Sequence, residues 1–141
     1  MKTRWIRLAR DSFLLIGVAC IPAFAQLYWN GFEPPAAVPF GISVEEVKTH
    51  SEPIVWVDAR ENDLFDAGHV PGALNLNQSN WDQALPNLFA AYAPGKSIIV
   101  YCSPDCIASE EIAAKIRELG LEQVFVLEGG FDAWKKANGN L

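Results

Sequence analysis

Ile98-Ile99-Val100-Tyr101 is a run of four apolar or aromatic residues that leads straight into Cys102. An unbroken apolar run of this length suits a strand covered on both faces, as in the centre of a parallel sheet. Such a strand ends in a crevice, where open α/β sheets place their ligands. The segment that follows, Ser103-Pro104-Asp105-Cys106-Ile107-Ala108, leads into a helix expected from Ser109. That helix points its N-terminus back at the crevice, and its free N–H groups and dipole favour an anion there. A thiolate is such an anion, so Cys102 is placed to be a nucleophile. Position alone leaves a second reading open, that of a buried structural cysteine.

The rest of the chain alternates strands and helices around this run. Ser43, with Glu46 three residues on, forms a capping box for a short helix to about His50. Ile54–Asp58 reads as a buried strand, followed by a short helix near Glu61–Ala67. His69-Val70-Pro71-Gly72 is a turn into a brief strand at Ala73–Leu76. Asn80–Ala93 is helical, with Trp81, Leu85, Leu88, Phe89 and Tyr92 at core spacing and Pro86 poised to kink or split it. Ser109–Leu119 is amphipathic, with Ile112, Ala113, Ile116 and Leu119 inward, and Gly120 stops it. Val124–Leu127 is the last strand, and Gly129-Gly130 turns into a helix through about Ala137. This order implies an α/β fold, with a mostly parallel sheet and helices on both faces.

The chain has 141 residues, enough for one compact domain. Residues 1–30 read as a separate segment. Lys2, Arg4, Arg7 and Arg10 precede the apolar run Ser12–Ala25, the shape of an export signal. Ala23-Phe24-Ala25 fits a cleavage site before Gln26. The run continues to Leu27-Tyr28-Trp29, long enough to span a bilayer with aromatic residues at the far interface. The two readings are a cleaved signal peptide and a transmembrane anchor, and the anchor is the one adopted. Either way the positive end stays in the cytoplasm and the domain is exported, to the periplasm of a Gram-negative cell. A lipidated Cys20 fits poorly, because apolar residues continue beyond it. Residues 31–41, with Pro34-Pro35 and Pro39, form a stiff linker, and residues 42–138 form the domain.

Charge excludes one class of partner. Four basic residues against Asp11 give the first 25 residues +3 of the total −6, which leaves the remainder at −9. An acidic domain lacks the basic footprint that nucleic acid needs. The domain contains two of the three cysteines, Cys102 and Cys106, so it is no disulfide scaffold. In an exported domain two nearby cysteines suggest redox activity. Neither a second cysteine pair nor a neighbouring histidine completes a metal site with Cys102-x-x-x-Cys106, so no metal or cofactor is expected. The sequence gives no firm sign of an oligomer.

Three motifs resemble the rhodanese-like domains. Asp58-Ala59-Arg60 with Phe65-Asp66-Ala67-Gly68-His69-Val70-Pro71-Gly72-Ala73-Leu74-Asn75 is similar to their first signature. Val100-Tyr101-Cys102 with its loop and helix is similar to their active-site loop, and Leu127-Glu128-Gly129-Gly130-Phe131-Asp132-Ala133-Trp134 to their C-terminal signature. The resemblance covers roughly Ile42 to Asn138. It implies a three-layer domain around a five-stranded sheet and a loop, Ser103 to Ser109, whose backbone N–H groups cradle the cysteine sulfur. It also implies a sulfurtransferase, in which Cys102 takes sulfane sulfur from a small-molecule or protein donor and passes it to a thiol acceptor. Asp58 and Arg60 then support the crevice through structural bonds. His69 bonds backbone, and Trp56 and Trp134 belong to the core.

The loop departs from the family pattern. It has neither Gly nor Arg between Cys102 and Ser109, and Ala108 stands where Arg is expected. It is one residue longer, the length found in related phosphatases and arsenate reductases, but those need a loop Arg to grip an oxyanion. Pro104 removes a backbone donor, and Asp105, Glu110 and Glu111 add negative charge. Like charge repels thiosulfate, a dianion, and favours a neutral persulfide or protein-bound sulfur as donor. Cys106 is either a small apolar loop residue or a resolving thiol, and a disulfide with Cys102 requires α-carbons within about 7 Å. Two competing functions follow: a thiol redox protein using both cysteines, and a non-catalytic binding module.

Overall fold

The computed structural model describes residues 40–139. The signal or anchor segment, Cys20 and the linker as far as Pro39 lie outside the described residues. Five parallel strands form one sheet: β1 Gly41–Ile42, β2 Ile54–Asp58, β3 Leu74–Asn75, β4 Ser97–Tyr101 and β5 Val124–Leu127. Their order across the sheet is β1-β5-β4-β2-β3, so the expected central strand is central. The helices are α1 Val44–Thr49, α2 Asn62–Ala67, α3 Trp81–Ala91, α4 Ala108–Glu118 and α5 Gly130–Asn138. No helix among the described residues is long and apolar enough to cross a membrane.

β4 is buried along its whole length. Its side chains alternate between two cores, as a strand's period of two requires. Ile98 and Val100 join Val55, Val57, Ile112, Ile116 and Leu88 on the face covered by α3 and α4. Ile99 and Tyr101 join Ile42, Val44, Leu127 and Phe131 on the face covered by α1 and α5. This is the three-layer arrangement expected.

Local chemistry starts and stops the helices. The capping box at α1 is present: Ser43 N–H donates to Glu46 Oε2 at 2.8 Å, and Glu46 N–H to Ser43 Oγ at 3.3 Å. His50 caps the other end of α1, and its Nε2 lies 2.7 Å from Ser97 Oγ at the start of β4. α4 ends at Glu118, with Leu119 at its C-cap and then Gly120, whose φ of 81° suits glycine.

Four details differ from the sequence reading. Pro86 does not split α3, which runs through it to Ala91. Phe89 does not face the core: it is 49% exposed, while Leu88 is fully buried. Leu119 is likewise 46% exposed, because the helix stops at Glu118 and Leu119 is already its cap. α4 begins at Ala108, one residue before the expected Ser109, with Ile107 at the N-cap. The fifth strand, β1, is only two residues long and pairs Gly41 with Val126 and Ile42 with Leu127.

The contrast between Leu88 and Phe89 is measurable. Leu88→Ala should cost about 2–5 kcal/mol through the cavity it leaves. Phe89→Ala should stay within about 0.5 kcal/mol. Urea denaturation of the two variants beside the parent chain reads both; equal losses would place Phe89 in the core after all.

Candidate active site

The chain leaves β2 for β3 on one side of the sheet, then returns through α3 to β4 and continues outward to β5. The C-terminal ends of β2 and β4 therefore flank a switch point, the usual place for a ligand crevice. Cys102 stands there, one residue past β4 and 3% exposed.

Hydrogen bonds on both sides fix the backbone entering and leaving this position. Ala59 N–H, past the end of β2, donates to the Tyr101 carbonyl at 2.8 Å. Phe131 N–H, in the first turn of α5, donates to the Cys102 carbonyl at 2.8 Å. That bond needs Gly130. A Cβ on Gly130 would collide with the Cys102 carbonyl oxygen and come within 3.1 Å of its carbon and 3.2 Å of the Ser103 carbon. Gly130 also adopts a φ of 57°, a region that favours glycine. The Gly129-Gly130 turn thus lies against the cysteine backbone.

The loop after Cys102 turns without glycine. Asp105 takes the left-handed conformation, φ 58°, which aspartate tolerates better than most residues. Cys106 N–H closes the turn on the Ser103 carbonyl at 3.3 Å. Cys102 and Cys106 are joined in a disulfide, with α-carbons 6.1 Å apart, inside the reach expected of a bridge. Cys106 is half-buried, whereas Pro104, Asp105 and Ile107 are exposed. No side chain caps the first turn of α4; Ser109 Oγ turns back to the Cys106 carbonyl at 3.5 Å. Ala108 opens α4 and brings no positive charge. Glu110 and Glu111 occupy the first turn, and Glu111 accepts a hydrogen bond from Gln78 Nε2 at 2.7 Å.

Beneath the loop lies a buried ion pair. Arg60 donates to Asp58 from Nε, at 2.9 and 3.1 Å, and from a terminal nitrogen at 2.6 Å. The same terminal nitrogen donates to the Gly68 carbonyl at 2.7 Å. The guanidinium lies 4.1 Å over the Phe131 ring and 5.6 Å from the Tyr101 ring. Burial opposes its charge, but the Asp58 carboxylate, with a smaller contribution from Tyr101, raises the Arg60 pKa above its ordinary value. Burial also pushes the Tyr101 phenol well above its ordinary range, and the charge of Asp58 pushes the same way; the N–H of Val70, donating to the phenol oxygen at 3.0 Å, pulls against them. Asp58 and Arg60 therefore satisfy each other and tie the end of β2 to Gly68 and Phe131. His69 donates from Nδ1 to the Phe65 carbonyl at 2.9 Å and stacks on the Phe65 ring, in the backbone-bonding role expected. Trp134 stacks on Phe131, and Trp56 packs edge-on to Tyr101; both are partly buried at the core.

One polar group was missed in the sequence. Asn75 and Asn77 both donate to the Arg60 carbonyl at 2.9 Å. Asn77 is 1% exposed, and its Oδ1 accepts from Ser79 and Asn80 N–H. Asn75, Asn77 and Asn80 fall within six residues of a strand-to-helix connection, and that density of amides was the available signal.

The family of rhodanese-like domains matches residues 43–137, so the chain belongs to the rhodanese-like domain family. The thiosulfate sulfurtransferase GlpE of Shewanella oneidensis is 33% identical over 90 residues, which covers 64% of this chain and 84% of that protein. The structure of a rhodanese-like domain protein from Staphylococcus aureus superposes with a TM-score of 0.54 at 20% identity, covering 72% of this chain and 93% of that one. A human single-domain sulfurtransferase superposes at 0.56 with 21% identity, covering 70% and 96%. These two likenesses carry the fold. The family and its GlpE relatives support sulfur transfer, from a sulfur donor to a thiol acceptor, at the level of the family.

The contact between Gly130 and Cys102 predicts a graded result. Gly120 has a similar φ of 81° but open space where a Cβ would go. Gly120→Ala should therefore cost about 1–2 kcal/mol, the strain of the left-handed backbone alone. Gly130→Ala should cost at least about 1 kcal/mol more, because the Cys102 backbone must shift. Chemical denaturation of both variants checks this, and equal costs would mean that the loop yields freely.

Proposed function

We propose that this chain is a sulfurtransferase that carries sulfane sulfur as a persulfide on Cys102. The observation that carries the reading is the placement of Cys102 at the switch point, its carbonyl tied to Phe131 N–H beside Gly130. With the disulfide reduced, the Cys102 thiolate attacks the outer sulfur of a donor, and the donor's thiolate, or sulfite from thiosulfate, departs. The persulfide on Cys102 then gives its outer sulfur to an acceptor thiolate, and Cys102 leaves as thiolate. The uncapped N-terminus of α4 favours that thiolate by about 0.3–1 kcal/mol. Ser103 to Ser109 supply the backbone around the sulfur. Phosphatase or arsenate reductase chemistry fits poorly: Ala108 cannot grip an oxyanion, and Arg60 is occupied by Asp58 and Gly68.

The same electrostatics bear on the donor. Asp105, Glu110 and Glu111 are exposed around the loop, with no loop cation to balance them. A dianion approaches this rim against repulsion, whereas a persulfide of lower charge or a protein-bound sulfur does not. On reduced full-length chain, a low-molecular-weight persulfide should load Cys102 at least about tenfold faster than thiosulfate, a barrier difference of about 1.4 kcal/mol. Raising the salt should speed thiosulfate loading by screening the repulsion. Intact mass would report a gain of one sulfur, lost in Cys102→Ser. Failure of the parent chain to take sulfur from either donor would leave a binding module as the better reading.

The proposal extends to location. Lys2, Arg4, Arg7 and Arg10 ahead of the apolar run to Trp29 support an anchor that holds the domain on the non-cytoplasmic side. On cell fractionation the full chain should sit in the membrane with residue 1 or 2 as its N-terminus. A soluble exported product beginning at Gln26 would replace the anchor with a cleaved signal, and a cytoplasmic product would remove both.

A further inference from the structure

The Cys102–Cys106 disulfide lies between two regular elements. β4 keeps its pairing with β2 up to Tyr101, and α4 is helical from Ala108. The turn at Asp105 and the bond from Cys106 N–H to the Ser103 carbonyl bring the second sulfur back to the first. A persulfide on Cys102 has its outer sulfur bonded to Cys102 Sγ. In the disulfide that same Sγ is bonded to Cys106 Sγ. The two states therefore differ by exchange of one sulfur for another on a single atom.

The geometry points to Cys106 as a resolving thiol that turns the domain into a sulfide-releasing persulfide reductase. This rests on the sulfurtransferase reading above and adds the fate of the sulfur. The Cys106 thiolate attacks Cys102 Sγ of the persulfide, and the bond between Cys102 Sγ and the outer sulfur breaks. The outer sulfur leaves as hydrosulfide, and the Cys102–Cys106 disulfide remains. The cysteines' two electrons reduce the sulfane sulfur, so this step needs no outside oxidant. A thiol four residues away acts at an effective concentration on the order of millimolar or above, ahead of a dilute acceptor thiol.

Resetting the site requires a dithiol reductant, such as an exported protein with a reduced cysteine pair. It attacks Cys106 Sγ, because Cys106 is half-buried while Cys102 is 3% exposed. Cys102 is then the leaving thiolate, favoured by the N-terminus of α4. The reductant's two thiols end as its own disulfide, and both cysteines of this chain are free for the next donor.

A single-turnover experiment tests this on the full chain, reduced, freed of reductant and kept anaerobic, with thiosulfate and no added thiol. Sulfite counts the charging of Cys102, and hydrosulfide counts its resolution. The parent chain should release the two in equal amounts and lose the mass of two hydrogens. Cys106→Ser should release at least tenfold less hydrosulfide per sulfite and keep the mass of one added sulfur. If the parent chain keeps the added sulfur with Cys106 open to alkylation, the inference is overturned, whether or not the variant folds. Sulfite without hydrosulfide, with a disulfide formed only after air is admitted, overturns it in favour of an oxidative lock. Where only a low-molecular-weight persulfide charges the chain, the same masses decide, two hydrogens lost for the inference or one sulfur kept against it; a parent chain that takes sulfur from neither donor overturns the sulfurtransferase reading beneath it and this inference with it.

Discussion

The buried pair of Asp58 and Arg60 is the interaction on which this end of the molecule depends. Asp58 is fully buried and Arg60 is 7% exposed, so neither charge can fall back on water. Removing one partner of such a pair leaves a buried uncompensated charge, at a cost of about 3–5 kcal/mol. The pair does more than satisfy itself. Arg60 reaches the Gly68 carbonyl after α2, and its guanidinium lies over Phe131 at the start of α5. Its backbone carbonyl receives Asn75 and Asn77 from the connection after β3. One side chain and its carbonyl therefore tie together segments that are far apart in sequence, all at the C-terminal edge of the sheet.

That tie explains how a cysteine at the end of one strand can be held in place by a loop with little regular structure of its own. Phe131, under the guanidinium, is the residue whose N–H holds the Cys102 carbonyl. Tyr101, one residue before the cysteine, accepts Ala59 N–H on its carbonyl and Val70 N–H on its phenol oxygen. The Tyr101 phenol is kept protonated by burial and by the charge of Asp58, although the N–H of Val70, donating to the phenol oxygen, favours the ionised form. The raised pKa adds stability that is complete below the ordinary tyrosine value and fades only as the pH climbs through the higher folded value. The cysteine backbone thus stands on a platform of neutral aromatic rings and one paired charge, and the loop beyond it is free to carry the chemistry.

The legible parts of the fold were those set by local rules. β4 announced itself because a strand buried on both faces must be apolar throughout, and Ile98 to Tyr101 are. The box between Ser43 and Glu46 and the stop at Gly120 were readable because caps use few residue types. β1 was not, since two residues carry no periodicity and Gly41–Ile42 becomes a strand only by pairing with β5. Phe89 and Leu119 were misplaced for a related reason. Helical spacing marks a stripe, but where the stripe ends depends on the sheet beneath it, which covers Leu88 and Ile116 and stops there. In the site, motif residues such as Asp58, Arg60, Cys102 and Gly130 were legible one by one. Their convergence on one another was not, nor were the asparagines, because buried amides are selected by partners distant in sequence.

The loop lacks the positive charge that an oxyanion site would need. A cysteine loop that handles oxyanions needs a bidentate cation, and here Ala108 opens the helix without one, while the Arg60 guanidinium is already bound to a carboxylate. The positions that could have favoured an anion carry Asp105, Glu110 and Glu111 instead. What the loop has in place of positive charge is a second sulfur, brought within 6.1 Å, α-carbon to α-carbon, by a left-handed aspartate. Sulfur exchange needs no oxyanion site, because the charge in its transition state stays spread over three polarisable sulfurs in line. A loop poor in cations and equipped with two cysteines is therefore poorly made for phosphate or arsenate. On the sulfurtransferase reading proposed above, it suits a neutral or singly charged sulfur species better than a dianion.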